Sequence, residues 1–119
     1  MKCYGVLSFE KKDGSSTHFD LLQRRYLFGS SVYCDFRFNL NTVSAEHAWL
    51  CVEESGQVWV NAVDGALKTI VSDEYVQGKV QLKDKDVLEI GGRKFTFHGK
   101  INHVVAAPNP RLVYWVHWY

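Results

Sequence analysis

Ser44 and His47 stand three residues apart, between the apolar runs Cys34-Asp35-Phe36-Arg37-Phe38 and Ala48-Trp49-Leu50-Cys51-Val52. A hydroxyl and an imidazole at this spacing can do two kinds of chemistry. As nucleophile and base they need a third group to orient the imidazole. No nucleophile elbow or acidic partner stands out in the sequence, so hydrolysis is not expected. As loop residues, the serine can offer its hydroxyl to an anion or close a turn onto its own backbone. The histidine can brace the loop or sit as a satisfied core residue.

The remaining reactive residues carry less. Cys3, Cys34 and Cys51 make an odd count with no Cys-x-x-Cys spacing, which argues against a disulfide framework. His18, His47, His98, His103 and His117 show none of the paired spacings that zinc sites use. Neither a metal nor a cofactor is expected.

The elements that must position Ser44 and His47 read as strands. Runs of alternating, β-branched and aromatic residues recur at short intervals between turn residues. Strands are expected over residues 4–10, 18–22, 26–28, 35–38, 48–53, 57–63, 69–71, 75–76, 80–82, 87–90 and 94–98. Ser55-Gly56 and Gly91-Gly92 read as hairpin turns. Apolar residues at helical spacing over three turns occur nowhere. The expected fold is an all-β antiparallel sandwich of about ten or eleven strands. Its core candidates are Leu7, Phe9, Leu27, Phe36, Phe38, Trp49, Val58, Val60, Leu88, Ile90, Phe95 and Phe97.

Five pieces of sequence, in order, carry a resemblance over roughly residues 4–99. They are Gly5-x-Leu7, Leu27-Phe28-Gly29, Cys34-Asp35, Val43-Ser44-x-x-His47-Ala48 and Leu82-x-Asp84-x-Asp86-Val87-Leu88-x-Ile90-Gly91. Together they resemble the forkhead-associated (FHA) domain, and the opening resembles the FHA domains of checkpoint mediators of the DNA-damage response, which dimerise. The resemblance implies a loop that grips the phosphate of a phosphothreonine. In it Gly29 lets two loops approach, Ser44 donates to a phosphate oxygen, and His47 braces from beneath.

Two positions depart from the family pattern. Ser30 stands where the family has an arginine, and Leu67 where it has an asparagine that holds the peptide backbone. Thr69 matches the family threonine, and Lys68 could restore positive charge, as a point charge without a planar fork. A charge-assisted hydrogen bond contributes about 1.5–3 kcal/mol, so losing the arginine should weaken binding about tenfold to a hundredfold. Arg24, Arg25 and Arg37 are expected on strand surfaces.

Residues 1–100 are expected to form the FHA-like sandwich and 101–119 an aromatic extension. That extension, ending Tyr114-Trp115-Val116-His117-Trp118-Tyr119, reads either as one more strand or as a contact surface. The seventeen Phe, Tyr and Trp exceed what a sandwich of this size fills its core with. Tyr33, Tyr114, Trp115, Trp118 and Tyr119 are therefore candidates for a dimer interface.

The composition sets the remaining bounds. A length of 119 residues suits one domain, and 46% hydrophobic content suits a packed globule. Fourteen Lys and Arg against thirteen Asp and Glu, a net +1, leave no footprint for direct nucleic-acid binding. No apolar stretch approaches the roughly 20 residues that span a bilayer. The opening Met1-Lys2-Cys3-Tyr4-Gly5 lacks the apolar segment of a signal peptide, so a nuclear protein, or alternatively a cytoplasmic one, is expected. A start at Met1 without a catalytic unit suggests the N-terminal module of a larger protein. The expected function is non-catalytic: homodimerisation within a DNA-damage-response or cell-cycle protein. The alternative is a phosphothreonine-peptide reader with a rearranged pocket, so the expected partners are a second copy of the chain and a phosphorylated protein.

Overall fold

A computed structural model describes residues 3–99 and 114–116. Among these residues twelve strands run in chain order: β1 Gly5–Glu10, β2 Ser16–Leu21, β3 Arg25–Gly29, β4 Phe36–Phe38, β5 Ala48–Val52 and β6 Val58–Ala62. They continue with β7 Thr69–Val71, β8 Glu74–Tyr75, β9 Lys79–Leu82, β10 Val87–Ile90, β11 Arg93–His98 and β12 Tyr114–Val116. Two six-stranded sheets result, in the orders β2-β1-β11-β10-β7-β8 and β12-β4-β3-β5-β6-β9.

Period two sets which side chains meet between the sheets. Leu7 lies opposite Phe97 and Phe9 opposite Phe95, and all four are buried. Phe9 and Phe95 stack at 5.1 Å between ring centroids. On the second sheet Phe28 stacks on Phe36 at 4.4 Å, and Phe95 meets Phe28 edge-on at 6.0 Å across the sandwich. Such offset and edge-on pairs contribute about 0.5–1.5 kcal/mol each beyond their area.

The expected strands are all present, within a residue or two at their ends. Gly56, Gly91 and Gly92 take positive φ in the two hairpin turns, a conformation that costs other L-residues strain.

The all-β sandwich is present as expected, antiparallel throughout except that β4 runs parallel to both β3 and β12. Asp35 makes this possible: its N–H donates to the Leu27 carbonyl at 2.9 Å and its carboxylate accepts the Leu27 N–H at 2.8 Å. Trp49 is not core. On β5 the residues Ala48, Leu50 and Val52 point inward, and Trp49 lies half-buried on the outer face with the Arg25 guanidinium 4.5 Å from its ring centre. Leu27 is buried but also belongs to the outer face, across from Trp49.

Of the aromatic extension, residues 101–113 and 117–119 lie outside the described residues, and with them Trp118 and Tyr119. The described part is a strand. Tyr114 packs inward on Phe19 and Phe36, with centroids 5.0 and 4.9 Å away, and its hydroxyl donates to the Asp20 carbonyl at 3.1 Å. Burial pushes its pKa up to about 12. Trp115 points outward and is half exposed.

Candidate functional site

The β3–β4 and β4–β5 loops meet at one end of the sandwich because Gly29 has no side chain. A Cβ there would fall 2.2 Å from the Ala45 carbonyl oxygen and 2.9 Å from Cys34 Sγ. That closeness lets a short ladder form between the loops. His47 N–H donates to the Phe28 carbonyl at 2.8 Å, Ser30 N–H to Ser44 O at 3.1 Å, and Ser31 N–H to Ala45 O at 3.1 Å.

His47 lies beneath this ladder, fully buried. Its Nδ1 accepts the Ser44 N–H at 3.1 Å, so Nε2 carries the proton and donates to the Lys68 carbonyl at 3.0 Å. The two expected roles coincide: the residue is a satisfied core histidine and also the brace of the loop. Burial pulls its pKa below the ordinary value, which keeps the ring neutral.

Ser44 Oγ accepts the Leu67 N–H at 2.8 Å. The hydroxyl is thereby fixed in place and still has its proton to donate to a ligand oxygen. Leu67, where the family has asparagine, exposes half of its surface, so an apolar side chain stands beside the serine. Lys68 Nζ rests on Tyr75, 3.3 Å from its hydroxyl and 4.7 Å from its ring centre. Ser30 is exposed at the rim.

Thr69 is buried, and its Oγ1 has no hydrogen-bond partner. It belongs to the core beneath the site, as β7 begins. The arginines lie elsewhere: Arg25 on Trp49, and Arg37 bonded to the Cys34 carbonyl at 3.0 Å and 5.5 Å from the Trp115 ring centre.

Sequence reasoning missed a groove beside Ser44. It encloses about 510 Å³ and is lined by Asn41, Thr42, Leu67, Lys68, Ile70 and Glu89, with the Gly91-Gly92 turn as its floor. Gly91 has to be glycine, since a Cβ would meet Val43 Cγ2 at 2.4 Å and φ is +59°. The double glycine was the one sequence signal of that floor. Among the described residues no group of three His, Cys, Asp or Glu could hold a metal ion.

Tyr33, in the β3–β4 loop, is 84% exposed next to Val32 at 67%, an apolar pair on a loop that has no packing reason to hold it.

No curated protein matches the chain. Among solved structures, the FHA domain of the CT664 protein from Chlamydia trachomatis is 17% identical, with a TM-score of 0.74 over 82% of this chain and 98% of that one. The N-terminal FHA domain of Saccharomyces cerevisiae Rad53p, solved with a phosphothreonine peptide, is 16% identical, with a TM-score of 0.67 over 80% and 94%. EmbR of Mycobacterium tuberculosis, solved with a low-affinity phosphopeptide, is 20% identical, with a TM-score of 0.70 over 84% of this chain and 26% of EmbR. The FHA domain family model matches residues 26–91, more than half of the 119 residues, and the chain belongs to the FHA domain family of non-catalytic protein-interaction modules.

Proposed function

We propose that this chain binds an extended segment of a partner protein at its loop end, through Ser44 and the groove beside it, and draws little of its affinity from phosphothreonine. The observation that carries this reading is the neighbourhood of Ser44. Its hydroxyl is fixed by the Leu67 N–H beside a half-exposed leucine and a groove that Ile70 also lines, while Ser30 supplies no cation. A phosphate placed there would meet hydroxyls and, at most, Lys68. A charge-assisted fork contributes about 1.5–3 kcal/mol, and none of it is available without a guanidinium.

Titration of the isotope-labelled chain with degenerate peptide libraries, with and without phosphothreonine, tests the reading. The amide shifts should fall on Thr42, Leu67 and Lys68, Leu67→Asp should abolish them, and the phosphorylated library should show no affinity in the low micromolar range. Tight phosphothreonine binding lost in Lys68→Ala would mean a pocket rebuilt around that lysine.

A second reading, homodimerisation, is favoured by Trp115. It is half exposed on β12 and opens a row of outward tryptophans, Trp115, Trp49 and Trp59, each with a cation on its ring. Trp and Arg are the residues most enriched at the energetic centres of interfaces. Self-association of this kind would serve a larger nuclear protein of the DNA-damage response or cell cycle, a placement supported by the resemblance of the opening strand.

A further inference from the structure

Gly92 lines the groove beside Ser44. The same glycine lines a second cleft of about 360 Å³, whose rim carries Lys11, Lys12, Arg93 and Lys94. Strand register explains the meeting. Phe9 of β1 lies opposite Phe95 of β11, so the residues that follow Phe9 come to lie beside those that precede Phe95. The β1–β2 turn, closed by Gly14 N–H to the Lys11 carbonyl at 3.0 Å, holds two of the cations against the start of β11, which carries the others.

Three carboxylates stand nearby. Glu10 lines the cleft, and Glu89, partly buried, lies 3.8 Å from the exposed Lys94 in a long pair of the weak kind. Asp13 accepts both the N–H and the hydroxyl of Ser15, which keeps it inside its own turn. A chain with a net charge of +1 thus gathers four of its fourteen basic residues around one concavity that shares Gly92 with the groove.

We propose that this basic cleft is a second subsite for the same bound segment, and that it selects partners carrying a run of aspartate or glutamate beyond the residues seated in the groove. The inference rests on the peptide-binding reading above. Apolar contact with Leu67 and Ile70 would hold the segment, and the cleft would set its identity by charge, as complementary charges do at interfaces. A nucleic acid fits less well, because counterion release rewards a long basic stripe and here the cations are bounded by Glu10, Glu89 and Asp13.

Fluorescence anisotropy with synthetic peptides tests this on the 119-residue chain. Each peptide carries one apolar core sequence and a tract of Glu, Ala or Lys at successive offsets, since an extended segment advances roughly 3.3 Å per residue. At low salt the Glu peptide should bind about tenfold tighter than the Ala peptide, an advantage that screening by 0.5 M salt removes. Lys11→Glu with Lys12→Glu should erase the preference while leaving the melting temperature and the Ala-peptide affinity as in the parent. Equal affinity for Glu and Ala peptides overturns the subsite and leaves the groove reading standing. A Glu peptide that shifts the amides of Lys11 and Lys94 but not those of Thr42 and Leu67 overturns the groove reading and keeps the cleft as a site for acidic segments. Binding of no peptide overturns both, and a single-stranded oligonucleotide that displaces the Glu peptide at equal concentration overturns the choice of a protein partner.

Discussion

His47 ties Lys68 to Ser44. Through one buried imidazole the Lys68 carbonyl and the Ser44 N–H, 24 residues apart in sequence, share a single fixed tautomer with the proton on Nε2. Protonation would put a second proton on Nδ1, where the Ser44 N–H already points. The folded state therefore binds this proton less readily than the unfolded chain, whose histidine titrates near its ordinary 6.5. With the folded pKa depressed, the unfolded state holds more protons in the window below 6.5, so stability falls as pH is lowered through it.

Urea unfolding followed at pH 7.5, 6.5 and 5.5 should thus show a midpoint that is flat above 6.5 and drops below it. His47→Gln should lose that drop. Because it also leaves two buried backbone groups poorly paired, it should cost about 2–4 kcal/mol at pH 7.5. A parent midpoint that rises on acidification would contradict the assignment of a neutral ring.

Gly29→Ala should be costly in a way its small volume does not suggest. The added methyl meets a backbone carbonyl, Ala45 O at 2.2 Å, which no side-chain rotation can relieve. Forced shifts of this kind cost about 1–3 kcal/mol, and they would open the ladder from Ser30 and Ser31 to Ser44 and Ala45. Hydrogen exchange at the Ser30, Ser31 and His47 amides should accelerate by more than the global loss of stability accounts for. If all amides accelerate alike, the clash has been absorbed without parting the loops.

Much of this was legible in the sequence, for identifiable reasons. Leu7, Phe9, Phe36, Phe38, Phe95 and Phe97 alternate with polar residues, so period two alone fixed their face. In Ala48-Trp49-Leu50-Cys51-Val52 both faces are apolar, and there alternation could not tell Trp49 from its neighbours. What decided it was Arg25, which covers the indole from the adjacent strand. The parallel course of β4 was not legible, since it depends on Asp35 bonding back to Leu27 across a loop. At the site, Gly29, Ser44 and His47 were readable as a motif. The groove was not, because its walls come from residues 41–42, 67–70 and 89–92, segments that only the fold brings together. At Leu67 the sequence showed only the missing asparagine side chain; that the Leu67 N–H fixes the Ser44 hydroxyl depends on the fold.

Thr69→Val should stabilise the domain. Thr69 Oγ1 is buried with no partner, and such a group carries a desolvation cost of about 1–3 kcal/mol that a methyl of similar shape avoids. A rise of roughly 1 kcal/mol in unfolding free energy is expected, with the amide pattern around Ser44 unchanged. A loss of stability would mean that a bound water satisfies the hydroxyl.

If the outward tryptophans carry self-association, sedimentation at about 100 μM should show a dimer, and Trp115→Glu should give a folded monomer, since one buried charge at an interface centre outweighs its remaining contacts. A parent chain that is monomeric at this concentration would return Trp115 to the role of a cation-capped strand residue.

The arginine position offers the most direct measure of what this site lacks. Ser30 is exposed, and its N–H donates to Ser44 O, so a longer side chain at 30 starts beside the serine hydroxyl and has open space to enter. Ser30→Arg would bring a planar fork to any phosphate held by Ser44, and a charge-assisted pair should raise phosphothreonine-peptide affinity about tenfold to a hundredfold. Ser30→Lys should give less, since a point charge cannot bond two phosphate oxygens at fixed angles. Calorimetry with one phosphothreonine peptide and its unphosphorylated twin separates the effects: the gain should appear only for the phosphorylated peptide and vanish when Ser44→Ala is added. An equal gain for both peptides would place the new arginine in the groove rather than on the phosphate. No gain at all would mean that the loop end holds no phosphate, and that Leu67 and the groove carry the binding alone.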